Sequence, residues 1–378
     1  MYEKKRKKNM ISIIGIRAFP HEFIGTSGVE FYADKLINQM LKMGDLSFVL
    51  YTRSQYQDIA QKSYHKNIKI IAIYTFSHKL FETFIYSLVA TILATFDSNS
   101  NIIWYHGVGP ACWSWIPRLF GKKIILTVHS LDWKRKKWTM LQRKIFYQLG
   151  IVSIKCAHKI TCVSSRVISE LNIFTDKKII FTPAGIEVIS ENECFHLKKH
   201  IPHSILFLGR IVPEKRLEWL LFATKIISKH IPDLRIIIMG GGSHSTKYMD
   251  ALKTIYRSKN IFWLGYHFGK YKSKILKASQ VLVIPSELEG LPIVVLEKIN
   301  NGGLVLVGDN CIDNELVQLK NVHIFNTNSF YSFVSQLCLV LKNERRHSDF
   351  KGIETLNNIG DFSWPKTAKT FMSIFLKM

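Results

Sequence analysis

The sequence predicts an α/β protein built as two doubly wound domains, each a parallel sheet covered by helices. Three observations carry that expectation. Short β-branched runs, apolar throughout as strands buried on both faces must be, alternate with stretches of helical period along most of the chain. At 378 residues the chain exceeds one ordinary core and suits two. A hydrophobic content of 47% provides ample area to bury and excludes a disordered chain.

The elements follow in order. A basic leader, Met-Tyr-Glu-Lys-Lys-Arg-Lys-Lys, reads as a disordered tail, either a solubilising end or a membrane-binding one. The apolar run 10–16 behind it is too short for a signal-peptide core and serves as the first strand. A loop through Gly28 leads into helical period over 31–42, with Phe31, Leu36, Met40 and Leu41 as core candidates. Further strands are expected at 47–51, 68–73, 102–105, 123–128, 159–164 and 179–182. The longest apolar stretch, 83–96, is broken by Ser and Thr and falls short of the ~20 residues a bilayer span needs, so a buried or interfacial helix is expected. Residues 188–203 lose all apolar period and read as a linker, which makes 1–187 the first domain. Strands at 204–208, 234–239, 261–265, 281–284 and 304–307 build the second, over 204–363, and a last helix occupies 364–376 of a closing segment, 364–378.

The chemistry concentrates at 281–297. A buried strand ends at Pro285, the chain turns at Gly290, and Pro292 suits the first position of a helix, where a missing N–H costs nothing. Ile293 and Val294 then present amides at a helix N-terminus, an anion site. Glu289 precedes that terminus and Glu297 lies in its second turn. Carboxylates accept from vicinal hydroxyls and repel phosphates, so this spacing suits a nucleotide sugar, with a sugar at each end and a diphosphate between. In the second domain's first loop, Arg210 and Lys215 bracket a strand-to-helix turn, as two diphosphate ligands would. In the first domain a buried strand delivers His129 to its carboxyl end, where open α/β sheets bind ligands.

These motifs together resemble the retaining glycosyltransferases of family four, whose signature is two glutamates separated by seven residues. Glu289 and Glu297 stand in that place; Gly209, Arg210 and Lys215 match the family's Gly-Arg-x-x-x-x-Lys. Residues 129–138 resemble the His-Gly-Leu-Asp-Trp-x-Arg-x-Lys-Trp of one polysaccharide-synthesising subgroup, with Ser130 in place of the glycine. Ser27-Gly-Val-Glu30 resembles its Gly-Gly-Phe-Glu, Pro183-Ala-Gly-Ile-Glu187 its Asn-Gly-x-Asp, and Lys298-Ile-Asn300 replaces its Ala-Met-Ala. The resemblance implies a GT-B fold, two Rossmann-like domains facing across a cleft, with the last helix crossing back to pack on the first domain. It implies Glu289 and His129 as catalytic residues at the donor sugar. Gly28, Arg210, Lys215, Gly290, Pro292, Ile293 and Glu297 would bind the rest of the donor.

Composition sets the partners. Lys+Arg of 52 against Asp+Glu of 28 leaves +24, which calls for a polyanion or an anionic surface. The charge is dispersed, with no zinc spacing or RNA-binding aromatic signature, so an anionic membrane is expected and nucleic acid is not. The cations at 134–137 between Trp133 and Trp138 suit a membrane interface, or a solvated loop. Six cysteines without a C-x-x-C read as reduced cytosolic thiols. No Asp-x-Asp occurs, so no metal cofactor is expected; the nucleotide sugar is a co-substrate and a glycan or lipid-linked acceptor its partner. The expected protein is a cytoplasmic, peripherally bound transferase, held to the membrane electrostatically. A sugar-nucleotide epimerase of the same fold and a non-catalytic basic binding protein are the rivals.

Overall fold

Each run expected as a strand takes up a parallel strand, and the stretches of helical period between them cover the sheets. The computed structural model describes residues 10–21, 28–56, 65–75, 81–135, 138–186, 201–242, 246–301, 303–342 and 362–378. The first sheet uses β1 (Met10–Ile14), β2 (Ser47–Arg53), β3 (Ile68–Ile73), β4 (Ser100–His106), β5 (Lys123–Val128), β6 (Lys159–Cys162) and β7 (Ile179–Phe181). Between them run α1 (Gly28–Met43), α2 (Phe81–Phe96), α3 (Trp115–Leu119), α4 (Met140–Cys156) and α5 (Ser165–Leu171). The spatial order is β3-β2-β1-β4-β5-β6-β7, every pairing parallel.

The second sheet repeats the plan with β8 (Ile201–Leu208), β9 (Arg235–Met239), β10 (Ile261–Gly265), β11 (Ser279–Ile284), β12 (Leu304–Gly308) and β13 (Val322–Phe325). Its helices are α6 (Leu217–Ile227), α7 (Thr246–Ile255), α8 (Gly269–Ala278), α9 (Ile293–Asn300), α10 (Asn314–Val317) and α11 (Phe330–Lys342). The order β10-β9-β8-β11-β12-β13 is again all parallel. A last helix, α12 (Trp364–Leu376), returns to the first sheet's unit. The chain thus forms two compact units, Met1–Ala184 with Trp364–Met378, and Gly185–Ser363.

Packing explains why α12 belongs with the first unit. Trp364 lies against Tyr32 and Phe31 of α1, Phe371 stacks within 4.5 Å of Trp104, and Thr367 Oγ1 donates to the Pro183 carbonyl at 2.9 Å. Several boundaries differ from those expected. α1 begins at Gly28 rather than 31, with Glu30 in its first turn where a carboxylate meets the positive helix end; Leu36 and Met40 are buried, Phe31 and Leu41 only partly. β8 begins at Ile201, inside the stretch read as linker, because Ile201 pairs with Ser279; the rest of that stretch, 188–200, lies outside the described residues. β13 was not legible as a strand, since half of Val-His-Ile-Phe faces partly outward at a sheet edge.

Candidate active site

In a doubly wound sheet, the loops leaving two neighbouring strands part in opposite directions at the point where strand order reverses, and open a crevice at the carboxyl ends. In the second unit that point falls between β8 and β11. The loop after β8 carries half-buried Arg210 and Lys215, and the loop after β11 carries Glu287 and Glu289. Lys215 Nζ donates to Glu289 Oε1, so two residues far apart in sequence meet at the reversal point. The two loops are tied by the Glu287 amide, which donates to the Glu214 carbonyl at 3.0 Å.

α9 follows at once. Pro292 is its N-cap, with φ −69° and ψ 110°, and the helix starts at Ile293. This corrects the expectation that Pro292 is the first helical residue: the ring sets φ, which suits either position, and the extended ψ decides for the cap. The Pro292 carbonyl accepts from the Val295 amide at 2.9 Å, while the Ile293 and Val294 amides precede the first intrahelical bond. Gly290 is buried at the bend before them. Glu297 Oε1 accepts from Lys272 Nζ of α8 at 2.7 Å, whereas its Oε2 is buried without a partner among the described residues, as is Ser286 Oγ in the loop after β11. Such orphaned buried oxygens are rare enough to need an explanation.

Two residues to which sequence reasoning gave no role hold this site together. Arg216 adopts a left-handed backbone, φ 49°, and its guanidinium donates to the Thr327 carbonyl at 2.6 Å, reaches Glu287 at 3.8 Å and lies over the Trp219 ring. It therefore clamps the loops after β8, β11 and β13. Lys298 is fully buried where the family pattern has a small residue. Its Nζ donates to the Leu276 and Ser279 carbonyls at 2.6 and 2.5 Å and to Ser279 Oγ at 3.1 Å, three acceptors for three N–H groups, although burial pushes its pKa down to about 7. This ties the helix bearing Glu297 to the start of β11. Backbone contact is equally close at Gly240, φ +134°, where a Cβ would stand 1.8 Å from the Gly209 carbonyl oxygen.

The first unit reverses between β1 and β4. Gly15, φ +110°, leaves β1 so near the His106 carbonyl that a Cβ would lie 2.3 Å from it. His106 ends β4 and His129 follows β5; their Nδ1 and Nε2 atoms are 3.1 Å apart, with the rings stacked. Tyr32 packs edge-on against His129, and buried Glu30 accepts from the Arg17 amide at 3.0 Å. Burial pushes His129 down to about 4, opposed by the Glu30 charge, and pushes His106 well below the usual range, with the His129 charge adding to it. Both are neutral at pH 7. His106 Nε2 is buried without a partner among the described residues, and a bare nitrogen is tolerated there better than an orphaned N–H. The tautomer that suits this arrangement has the His106 proton on Nδ1, facing His129 Nε2, and the His129 proton on Nδ1.

Described residues of the 129–138 motif beyond His129 bond and pack within the first unit. Trp133 is buried, Arg135 bonds Asp132 at 3.2 Å and Ser130 Oγ at 2.8 Å, and Lys134 pairs with Glu170 at 2.8 Å; residues 136–137 lie outside the described residues. Gly28 is the first residue of α1 rather than part of a loop, and Ser27 and Glu187 lie outside the described residues. The structure thus brings Arg210, Lys215, Glu289, Gly290, Pro292, Ile293 and Glu297 to one end of one sheet, and places His129 and Gly28 in the other unit.

Both halves of the chain match known protein families. Residues 190–353 match the family described as glycosyl transferases group 1, and residues 26–190 match glycosyltransferase family 4. The chain belongs to these glycosyltransferases. Among relatives of this family, the UDP-Gal:alpha-D-GlcNAc-diphosphoundecaprenol alpha-1,3-galactosyltransferase of Escherichia coli is 27% identical over 230 residues, 53% of this chain and 58% of that protein. The 2-deoxystreptamine N-acetyl-D-glucosaminyltransferase of Niallia circulans is 24% identical over 54% of this chain and 60% of its own length. The chain thus matches less than two thirds of either relative. Sucrose-phosphate synthase from Thermosynechococcus elongatus superimposes with a TM-score of 0.78 at 16% identity, covering 98% of both chains, which shows the shared GT-B fold.

Proposed function

We propose that this glycosyltransferase moves a sugar, with retention of configuration, from a nucleotide-sugar donor to a lipid-linked glycan acceptor in surface polysaccharide synthesis. The observation that carries the reading is the meeting of Lys215 with Glu289 at the β8/β11 reversal point, beside the α9 N-terminus. In this reading Arg210, Lys215 and the Ile293 and Val294 amides stabilise charge on the departing diphosphate, the main electrostatic demand of an oxocarbenium-like transition state. Glu289 orients the donor sugar and His129 contacts it, while Glu297, whose second oxygen lacks a partner among the described residues, accepts from a ribose hydroxyl. Lys215 exchanges Glu289 for phosphate when the donor arrives. No metal enters the proposal, since cations and amides supply the charge.

A lipid-linked acceptor is supported by the Escherichia coli relative, whose name specifies a diphosphoundecaprenol substrate. It calls for an enzyme at the cytoplasmic membrane surface, and the +24 charge suits anionic lipid. No described helix is long and apolar enough to cross a membrane. A thermal-shift panel of UDP, GDP, ADP and dTDP, followed by their sugars and then transfer to diphosphoprenyl acceptors, tests the reading. A ligand at ~100 times its dissociation constant stabilises by roughly 2.7 kcal/mol, enough to see. A protein that binds none of them, or isomerises the donor without an acceptor, does not perform this reaction.

A further inference from the structure

Helix α2 is inside out. An ordinary surface helix buries its apolar stripe and exposes its polar one. Here the exposed positions are Phe84, Ile85, Val89, Ile92, Leu93 and Phe96, between 37% and 67% accessible. The buried face instead carries Tyr86, Ser87, Thr91 and Thr95 beside Ala90 and Ala94. Those polar groups are satisfied inward: Tyr86 Oη meets the Gly15 amide at 3.2 Å, Thr91 Oγ1 meets Tyr105 Oη at 3.0 Å, and Thr95 Oγ1 donates to the Thr91 carbonyl at 2.6 Å. The one ionisable acid of the helix, Glu82, is buried against Arg53 at 2.5 Å. No charge reaches the outer face of the helix.

The patch continues beyond the helix. Phe96 packs on Phe120 with ring centres 5.2 Å apart, Phe84 packs on Trp113 at 4.4 Å, and α3, which touches α2, exposes Trp115 and Leu119. A contiguous apolar surface of this kind marks an interaction site rather than ordinary scatter. Exposed cations stand beside it, Arg118 on α3 and Lys123 at the start of β5. On α4, which packs on α3, exposed Arg143 and Lys144 alternate with exposed Met140, Leu141 and Ile145. An apolar face flanked by cations and tryptophan complements an anionic bilayer interface. A second copy is a poor occupant, because each chain carries a net charge of +24 and two copies repel.

We propose that the outer face of α2, extended by Trp115, Leu119 and Phe120, inserts into the boundary between headgroups and acyl chains of an anionic membrane, with α2 lying in its plane. The inference deepens the proposal of a lipid-linked acceptor and rests on it for its purpose, not for its geometry. It also changes the kind of attachment expected. Charge alone would let salt release the protein, since exposed charges are screened over ~8 Å at physiological ionic strength, whereas an inserted apolar face leaves a salt-resistant part.

Flotation of the full chain tests this with vesicles of phosphatidylglycerol mixed with phosphatidylcholine, and of phosphatidylcholine alone, at low and high salt. The wild type should float best with the anionic mixture at low salt and keep a measurable bound fraction at high salt. Ile92→Glu with Leu93→Glu should lower partitioning about tenfold or more and abolish the salt-resistant part. These side chains are exposed, so the fold should survive; Phe96→Ser alone, with a smaller loss, reads the same face if the double variant does not fold. Wild-type-like flotation of the folded variants would overturn the inference. So would failure of the wild type to float, or a dimer in sedimentation that the variants dissociate without any lipid binding. Failure to bind nucleotide diphosphates or sugars, with flotation intact, would instead overturn the glycosyltransferase reading and leave this surface standing.

Discussion

The two units share a strand plan yet carry opposite chemistry at the same topological place. Where the first sheet reverses, two histidines held neutral by burial lie 3.1 Å apart. Where the second reverses, Lys215 pairs with Glu289, and Lys272 pairs with Glu297 close by. The fold therefore supplies the crevice, and the few residues after each strand supply its function. An ion-paired site can exchange partners for a charged ligand. A neutral one can hydrogen-bond a hydroxyl without repelling or trapping a cation or an anion.

The sharpest way to break that contrast is Glu289→Gln, which keeps shape and removes charge. Charged hydrogen bonds are worth on the order of 1.5 to 3 kcal/mol each, so single-turnover transfer should fall ten- to a hundredfold or more, while calorimetric affinity for the bare diphosphate changes little. Near-normal transfer would remove Glu289 from the chemistry. Lys215→Ala should cost less turnover, about tenfold, but weaken diphosphate binding with it, since the cation serves ground and transition states alike. A double-mutant cycle over Lys215 and Glu289 should show non-additivity, because each single change leaves the other charge unpaired.

At the neutral site the expected effects are smaller and uncharged in character. His129→Phe should lower transfer several-fold with no change in binding of the bare diphosphate, the order expected for loss of one neutral hydrogen bond. Equal losses in both measurements would place His129 elsewhere. The smallest effect is on stability. Unfolded histidine takes a proton near 6.5, whereas folded His129 resists it down to about 4, so the unfolded state binds more protons between those values and stability falls as pH falls through that window. Urea midpoints from pH 7 to 4 should show the decline, and His106→Asn with His129→Asn should flatten it. An unchanged slope would show that other groups govern acid unfolding.

Much of the site was legible because it is local. Glu289, Gly290, Pro292, Ile293 and Glu297 lie on one strand-turn-helix stretch, so their approach to one another follows from secondary structure. The meeting of His106 with His129 was not legible, since nothing in the residues flanking His106 indicates that the neighbouring strand will bring His129 beside it. Lys272 was lost in a lysine-rich helix, and Arg216 followed a more conspicuous Lys215. The apolar stretch of α2 showed as apolar, but its period could not say which face would be covered.

By itself the sequence determined two α/β domains, because buried parallel strands need unbroken β-branched runs, and it determined the strand-turn-helix stretch that carries Glu289 and Glu297, because loop and helix-start chemistry is written in adjacent residues. Only the tertiary structure decided the long-range pairings: Lys215 with Glu289, Lys272 with Glu297, His106 with His129, and α12 with the first sheet's unit. It also decided that the polar side of α2 faces inward, where Tyr86 and Thr91 find partners on other elements. Contacts between distant segments depend on strand order and packing, and a side chain's burial is a property of what surrounds it rather than of its own polarity.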